Sequence, residues 1–95
     1  MYDDALLQSV FGIAIMRLRL ERGLSRFTAA GKANVSVPQW YKLESGMCWP
    51  TKNSLYAVCE ALDVNPSEIF FVAADVLSSY ECNQSVKDFM MSIGA

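Results

Sequence analysis

Apolar residues recur along this chain at steps of three and four, and nowhere do they alternate strictly with polar ones. That spacing builds one-sided helices and argues against strands. The first stretch, Asp4 to Arg22, carries Leu7, Phe11, Ala14, Ile15 and Leu18 on one stripe and stops at Gly23. Ser25 offers a cap for a short helix, Arg26 to Ala33, closed by Asn34. Ser36 does the same for a third, Val37 to about Glu44, closed by Gly46. Pro38 falls in its first turn, where no backbone donor is lost. After the loop "MCWPT", Thr51 or Asn53 starts a fourth helix carrying Leu55, Val58, Cys59 and Leu62. "NPSE" at 65–68 is a compound start signal: Asn65 caps, Pro66 takes the first position and Glu68 closes a capping box. The fifth helix carries Ile69, Phe70, Val72, Ala73, Val76 and Leu77. A break is expected at "ECNQ" (81–84), followed by a stripe of Val86, Phe89, Met90 and Ile93.

The pattern predicts an all-α fold, and 95 residues supply one small core rather than two. Composition sharpens this. An apolar fraction of 53% against 19% charged residues excludes a disordered chain and points to apolar surface buried against a partner. No run of about 18 apolar residues is present, so a membrane-spanning helix is not expected. The acidic start, with Asp3 and Asp4 and no basic residue, argues against a secretory signal. Cys48, Cys59 and Cys82 are odd in number, lack C-x-x-C spacing and have no His near them. A reduced cytoplasmic setting is expected, with no metal, no cofactor and no structural disulfide. Nor is there a catalytic constellation: the chain has no His, and a Ser or Cys nucleophile would lack a base. An enzyme is not expected.

Net charge is −2, but the charges are segregated. Arg17, Arg19, Arg22, Arg26, Lys32, Lys42 and Lys52 face only Glu21 and Glu44 between residues 17 and 52. From Asn53 onward, Glu60, Asp63, Glu68, Asp75, Glu81 and Asp88 face Lys87 alone. Screening over roughly 10 Å makes a local patch matter more than the total. An acidic chain with a basic face is expected, and that face is open to phosphates.

The stretch "FGIAIMRLRLERGLSRFTAAGKANVSVPQWYKLESG…P…SLYAVCEALDVNPSEIF" resembles the Cro/CI-type (xenobiotic-response-element) helix-turn-helix family. The four residues "ANVS" would be its turn. Gly12, Arg19, Ala30, Val35, Glu44, Gly46, Pro50, Leu62 and Ile69 stand among the matching positions. The resemblance implies a five-helix, lambda-repressor-like DNA-binding domain over residues 1–70, with an extended or extra C-terminal helix over 71–95. It departs from the family at Ala29, where Leu is usual, at Trp40, where Ile or Val is usual, and at Asn34, where Gly is usual. The indole of Trp40 is expected to fill the space left by the missing Leu. Arg19 and Glu44 form a potential ion pair between the first helix and the end of the third; two solvated charges are the alternative.

In this family the third helix lies in the major groove. The resemblance implies that Val37, Pro38, Tyr41 and Lys42 face bases, with Gln39 nearby. Val37 and Pro38 suit thymine methyls, Lys42 guanine and Gln39 adenine. Arg26 stands where the family has a DNA-touching Gln, and suits a phosphate or a guanine. Ser25, Ser45, Arg17 and Lys52 occupy plausible phosphate contacts. Phe71, Leu77, Phe89, Met90 and Ile93 exceed the needs of a small core. They either fold back onto the monomer or form a homodimer seam, and the second reading is preferred. The expected function is a cytoplasmic, nucleoid-associated transcriptional repressor, bound as a homodimer to a palindromic operator in double-stranded DNA. The alternative is a protein-interaction module, an antirepressor or antitoxin-like partner, that keeps the fold without reading DNA.

Overall fold

The computed structural model describes residues 3–92 of the backbone and the side chains of residues 3–80. Five helices follow in order: α1 (Asp4–Glu21), α2 (Arg26–Ala33), α3 (Val37–Glu44), α4 (Lys52–Leu62) and α5 (Pro66–Ser92), with no strand among the described residues. Each of the first four begins on a side-chain cap. The Asp3 carboxylate accepts from the Leu6 amide (2.7 Å), and the Ser25, Ser36 and Thr51 hydroxyls accept from Thr28, Gln39 and Ser54 (3.0–3.1 Å). These bonds satisfy amides that a helix start otherwise leaves unpaired. At α5 the Glu68 carboxylate accepts from the Asn65 amide at 3.3 Å, the returning half of a capping box.

The four helices also end alike. Gly23, Asn34, Gly46 and Asp63 take left-handed backbone angles, and the amide after each returns to a carbonyl five residues earlier: Leu24 to Arg19, Val35 to Ala30, Met47 to Lys42, Val64 to Cys59 (3.0–3.2 Å). This is the Schellman ending, which reverses the chain without leaving a helix carbonyl orphaned. The stop at Asp63 carried no glycine signal. Asn and Asp tolerate the conformation because their short side chains bond locally.

The core joins Val10, Ala14, Ile15 and Leu18 of α1 to Ala29, Ala30 and Ala33 of α2, Trp40 and Leu43 of α3, Val58 and Leu62 of α4, and Ile69, Ala73 and Val76 of α5. Trp40 is fully buried in the same cluster as Ala29, so the largest core side chain accompanies one of the smallest. Phe11 stands edge-on to both Trp49 and Phe70 at 5.8 and 5.5 Å and ties the α3–α4 loop and α5 to α1.

Two expectations are corrected. α5 runs unbroken through "ECNQ" to Ser92, 27 residues in all. The polar stretch contains neither Pro nor Gly, and Cys, Asn and Gln cost a helix only a few tenths of a kcal/mol each. The expected boundary at residue 70 therefore falls inside a helix whose Ala73 and Val76 are still buried in the bundle. The charge segregation is also partly undone by folding. Arg17 Nη1 meets Asp75 Oδ2 at 3.2 Å and Arg22 Nη2 lies 4.0 Å from Glu68 Oε2, so two cations of the basic segment face acids of α5. Arg22 is also tied to backbone: its Nε donates to the Leu62 carbonyl (2.8 Å) and its Nη2 to that of Asp63 (3.2 Å), clamping the end of α4.

Helix α1 passes so close to the end of α3 that a Cβ on Gly12 would lie 2.3 Å from the Glu44 carbonyl oxygen. Gly12→Ala is expected to destabilise the fold by about 3 kcal/mol, since rigid backbone must give way. Gly31→Ala, where nothing lies within 4 Å, should stabilise it by about 0.5–1 kcal/mol through helix propensity. Urea unfolding of both variants checks the contrast.

Candidate nucleic-acid interface

Helix α3 has one buried side and one open side. Trp40, Leu43 and Glu44 point inward, while Val37, Pro38, Tyr41 and Lys42 are exposed and Gln39 is half-buried. The period of 3.6 sorts them: positions 40, 43 and 44 share a face, and 37, 38, 41 and 42 fall on the other. The Asn34 turn sets the angle between α2 and α3, since Asn34 and Val35 amides close onto Gly31 and Ala30. Gly46 fixes the far end, with φ of +75° and a position where a Cβ would come within 2.7 Å of the Ser9 backbone. Only glycine meets both demands.

Beneath the open face lies a buried carboxylate. Glu44 accepts from Arg19 Nε and Nη2 (3.3 Å for the latter), from the Trp40 indole and from Arg26 Nε at 3.0 Å. Arg19 Nη1 also donates to the Leu24 carbonyl at 2.8 Å, which extends the cluster to the α1–α2 turn. One carboxylate thus gathers α1, α2 and α3. Burial alone would raise the Glu44 pKa. The hydrogen bonds from Arg19, Trp40 and Arg26, with the Arg19 charge, outweigh it and hold the carboxyl below its ordinary value.

Arg26 reaches this carboxylate from the start of α2, yet its side chain stays 45% exposed. Its guanidinium carbon lies 5.5 Å from the centre of the Tyr41 ring. The structure therefore brings Arg26 over Tyr41, with Val37, Pro38 and Lys42 on the same open side of α3. Ser25 is committed as the α2 cap, and its hydroxyl also lies 3.0 Å from that of Thr28. Ser45, the C-cap of α3, donates to the Lys42 carbonyl at 3.3 Å. Lys52 is exposed in the first turn of α4. Arg17 is held apart from this group by Asp75 on the α1–α5 seam, in an exposed ion pair.

Of the residues expected at a seam, Phe71 is 76% exposed and Leu77 packs partly on the core. The side chains of Phe89 and Met90, and the whole of Ile93, lie outside the described residues. Sequence reading missed the contact of Arg26 with Glu44 and its stacking on Tyr41; the spacing of 18 residues between Arg26 and Glu44 has no local signature. Cys48 and Cys59 are free thiols, and burial, with the Glu68 charge, raises the Cys59 pKa. That suppresses its thiolate and fits a packing role.

A profile described as a helix-turn-helix domain matches residues 10–69, which contain the cap, turn and open face just described. The chain belongs to the helix-turn-helix family. This is a family of DNA-binding regulators, and the Cro/CI-type resemblance and five-helix architecture stand with it. The fold is similar to that of the clp gene regulator ClgR from Corynebacterium glutamicum, at 21% identity and a TM-score of 0.88, over 97% of this chain and 98% of that one. It is similar to the restriction-modification controller protein C.AhdI from Aeromonas hydrophila, at 26% identity and a TM-score of 0.64, over 65% and 94%. The controller protein C.Esp1396I shares the fold at 23% identity and a TM-score of 0.71, over 77% and 95%. Comparison with curated protein sequences returned no match.

The Glu44 cluster carries a pH signature. Its folded pKa lies below the unfolded value of about 4.3, so its stabilisation is complete above that value and is lost as pH falls through the folded one. Glu44→Gln is expected to lower stability by about 3–5 kcal/mol at neutral pH, because Arg19 is left buried without its counter-charge. The variant should also lose less on acidification than the parent. Urea midpoints measured from neutral to acidic pH test this, and an identical acid loss in both proteins would contradict it.

Proposed function

We propose that this helix-turn-helix protein is a sequence-specific transcriptional repressor that lays α3 in the major groove of a palindromic operator. The observation that carries the reading is the open side of α3: Val37, Pro38, Tyr41 and Lys42 are exposed on a helix whose other side is locked into the core. A groove-reading helix needs that combination, because side chains read base edges only from a fixed backbone. Lys42 and Gln39 supply hydrogen bonds to bases, and Val37 and Pro38 apolar contact with thymine methyls. Lys52, Ser25, Ser45 and the amides at the start of α2 and α3 contact phosphates. Arg17 joins them only by releasing Asp75. Such a protein works at the nucleoid, in the cytoplasm.

A homodimer completes the proposal, with the bundle that includes the buried side of α5 reading DNA and the exposed Phe71 face of α5 forming the seam. A two-fold pair sets two α3 helices about 34 Å apart, one turn of duplex. Support comes from Phe71, an aromatic ring left largely in solvent on a 27-residue helix. The second reading, a protein-interaction module without DNA reading, draws on the exposed Phe27 of α2 and the apolar tip at Val37 and Pro38. The exposed Lys42 cation on the same side of α3 favours DNA.

Binding to a duplex selected from random sequence should weaken with salt, log K falling by about 0.9 per neutralised phosphate against log salt. Lys52→Ala should reduce that slope by about one, and Lys42→Ala should relax base preference at one position. Slopes and preferences unchanged in both variants would contradict the assignment. For the dimer, Phe71→Glu should shift sedimentation to the monomer mass; an unchanged dimer mass would refute a seam through Phe71.

A further inference from the structure

We propose that Gln8 and Trp49 form a positioning bracket that fixes the α3–α4 loop, so that Lys52 is held where it meets an operator phosphate. The inference rests on the DNA-binding reading and adds two residues that act without touching DNA. The bracket starts on α1. The half-buried Gln8 side chain donates its amide hydrogen to the Gly46 carbonyl at 3.2 Å and accepts from the Trp49 indole at 2.9 Å. One side chain thus ties the glycine that closes α3 to the middle of the loop beyond it. The Trp49 ring is fastened a second time, edge-on to Phe11 at 5.8 Å, and Phe11 stands edge-on to Phe70 of α5 at 5.5 Å. Helices α1 and α5 therefore both stand behind a loop whose tryptophan is still 41% exposed.

The loop has little else to hold it. No backbone amide of residues 48–51 donates to a backbone carbonyl. The bonds that close α3 stop at Met47, and those that open α4 begin at Ser54. A segment without hydrogen bonds of its own keeps one path only where side chains fasten it. Cys48 packs partly on the core, and beyond it Trp49 is the anchor. The start of α4 depends on that anchor. Lys52 opens the helix, whereas its fully buried residues begin at Val58, more than one turn later. Packing alone does not call for a glutamine here, since an apolar side chain of the same length would fill the space between Gly46 and Trp49. Glutamine supplies direction: its donor and its acceptor fix a backbone carbonyl and an indole at the same time.

Salt slopes measured on a duplex selected by the parent protein from a random pool give the test. Gln8→Met keeps the length of the side chain and removes both hydrogen bonds. It should weaken binding and lower the slope of log K against log salt by about one, with base preference kept. Lys52→Ala should lower the slope equally, and the double variant no further, because Gln8 acts through Lys52. A residue that merely stabilised the fold would leave the slope alone. Trp49→Phe keeps a ring against Phe11 and loses the indole hydrogen bond; it should move the slope the same way, and it carries the test if Gln8→Met fails to fold. In the free protein, iodide quenching reads Trp49, since Trp40 is fully buried. Gln8→Met should make that fluorescence easier to quench. Parent slopes in both variants, or a double variant that loses the sum of the two single losses, overturn the inference while DNA binding stands. Unchanged quenching overturns the bracket without any DNA. A parent protein that selects no duplex overturns the inference together with the DNA-binding reading.

Discussion

One buried carboxylate holds the arrangement that everything else uses. Glu44 ends α3, and its oxygens collect hydrogen bonds from Arg19 on α1, Arg26 on α2 and Trp40 on α3 itself. An ion buried this deeply is costly unless it is surrounded by donors, and here it is. Among the described residues no buried side-chain polar atom is left without a partner. The consequence is directional. Helix α3 cannot roll or slide without breaking a charged network, so its outer residues face solvent in one fixed register. The close passages at Gly12 and Gly46 add a second lock, since α1 lies directly against the end of α3.

That rigidity links packing to recognition. The small helices α2 and α3, eight residues each, are too short to persist alone. Caps at Ser25 and Ser36, left-handed stops at Asn34 and Gly46, and the fully buried Trp40 make them persist. The indole does two jobs at once: it anchors the inward face of α3 in the core and donates to Glu44. The outward face is left free to vary, which is where a regulator stores its specificity.

Much of this could be read in the chain, and what could not has physical causes. Caps and stops are local chemistry, so Ser25, Ser36, Asn34, Gly46 and the Asn65–Glu68 box were legible from a few neighbouring residues. The Arg19–Glu44 pairing was legible only through the family resemblance. The continuity of α5 was not legible, because apolar periodicity reports which face is buried and says little about whether a polar turn interrupts the helix. The partners of Arg17, Arg22 and Arg26 were not legible for a common reason: they lie 58, 40 and 18 residues away. A charge tally along the chain treated all three as part of one basic patch. In the fold, Arg17 and Arg22 are turned toward α5 and α4, and Arg26 is bound to the network under α3.

The account stands on α2 and α3 forming the DNA-facing surface while the acidic α4–α5 side stays clear. The most direct measurement is a titration of isotope-labelled protein with a selected duplex, following backbone amide and arginine side-chain resonances. The account predicts shifts concentrated at Arg26, at residues 37–42, and at Ser45 and Lys52, with Glu60, Asp63 and Glu68 unmoved. Shifts centred on Glu60, Asp63 and Glu68, or an α3 that remains unperturbed at saturation, would contradict it.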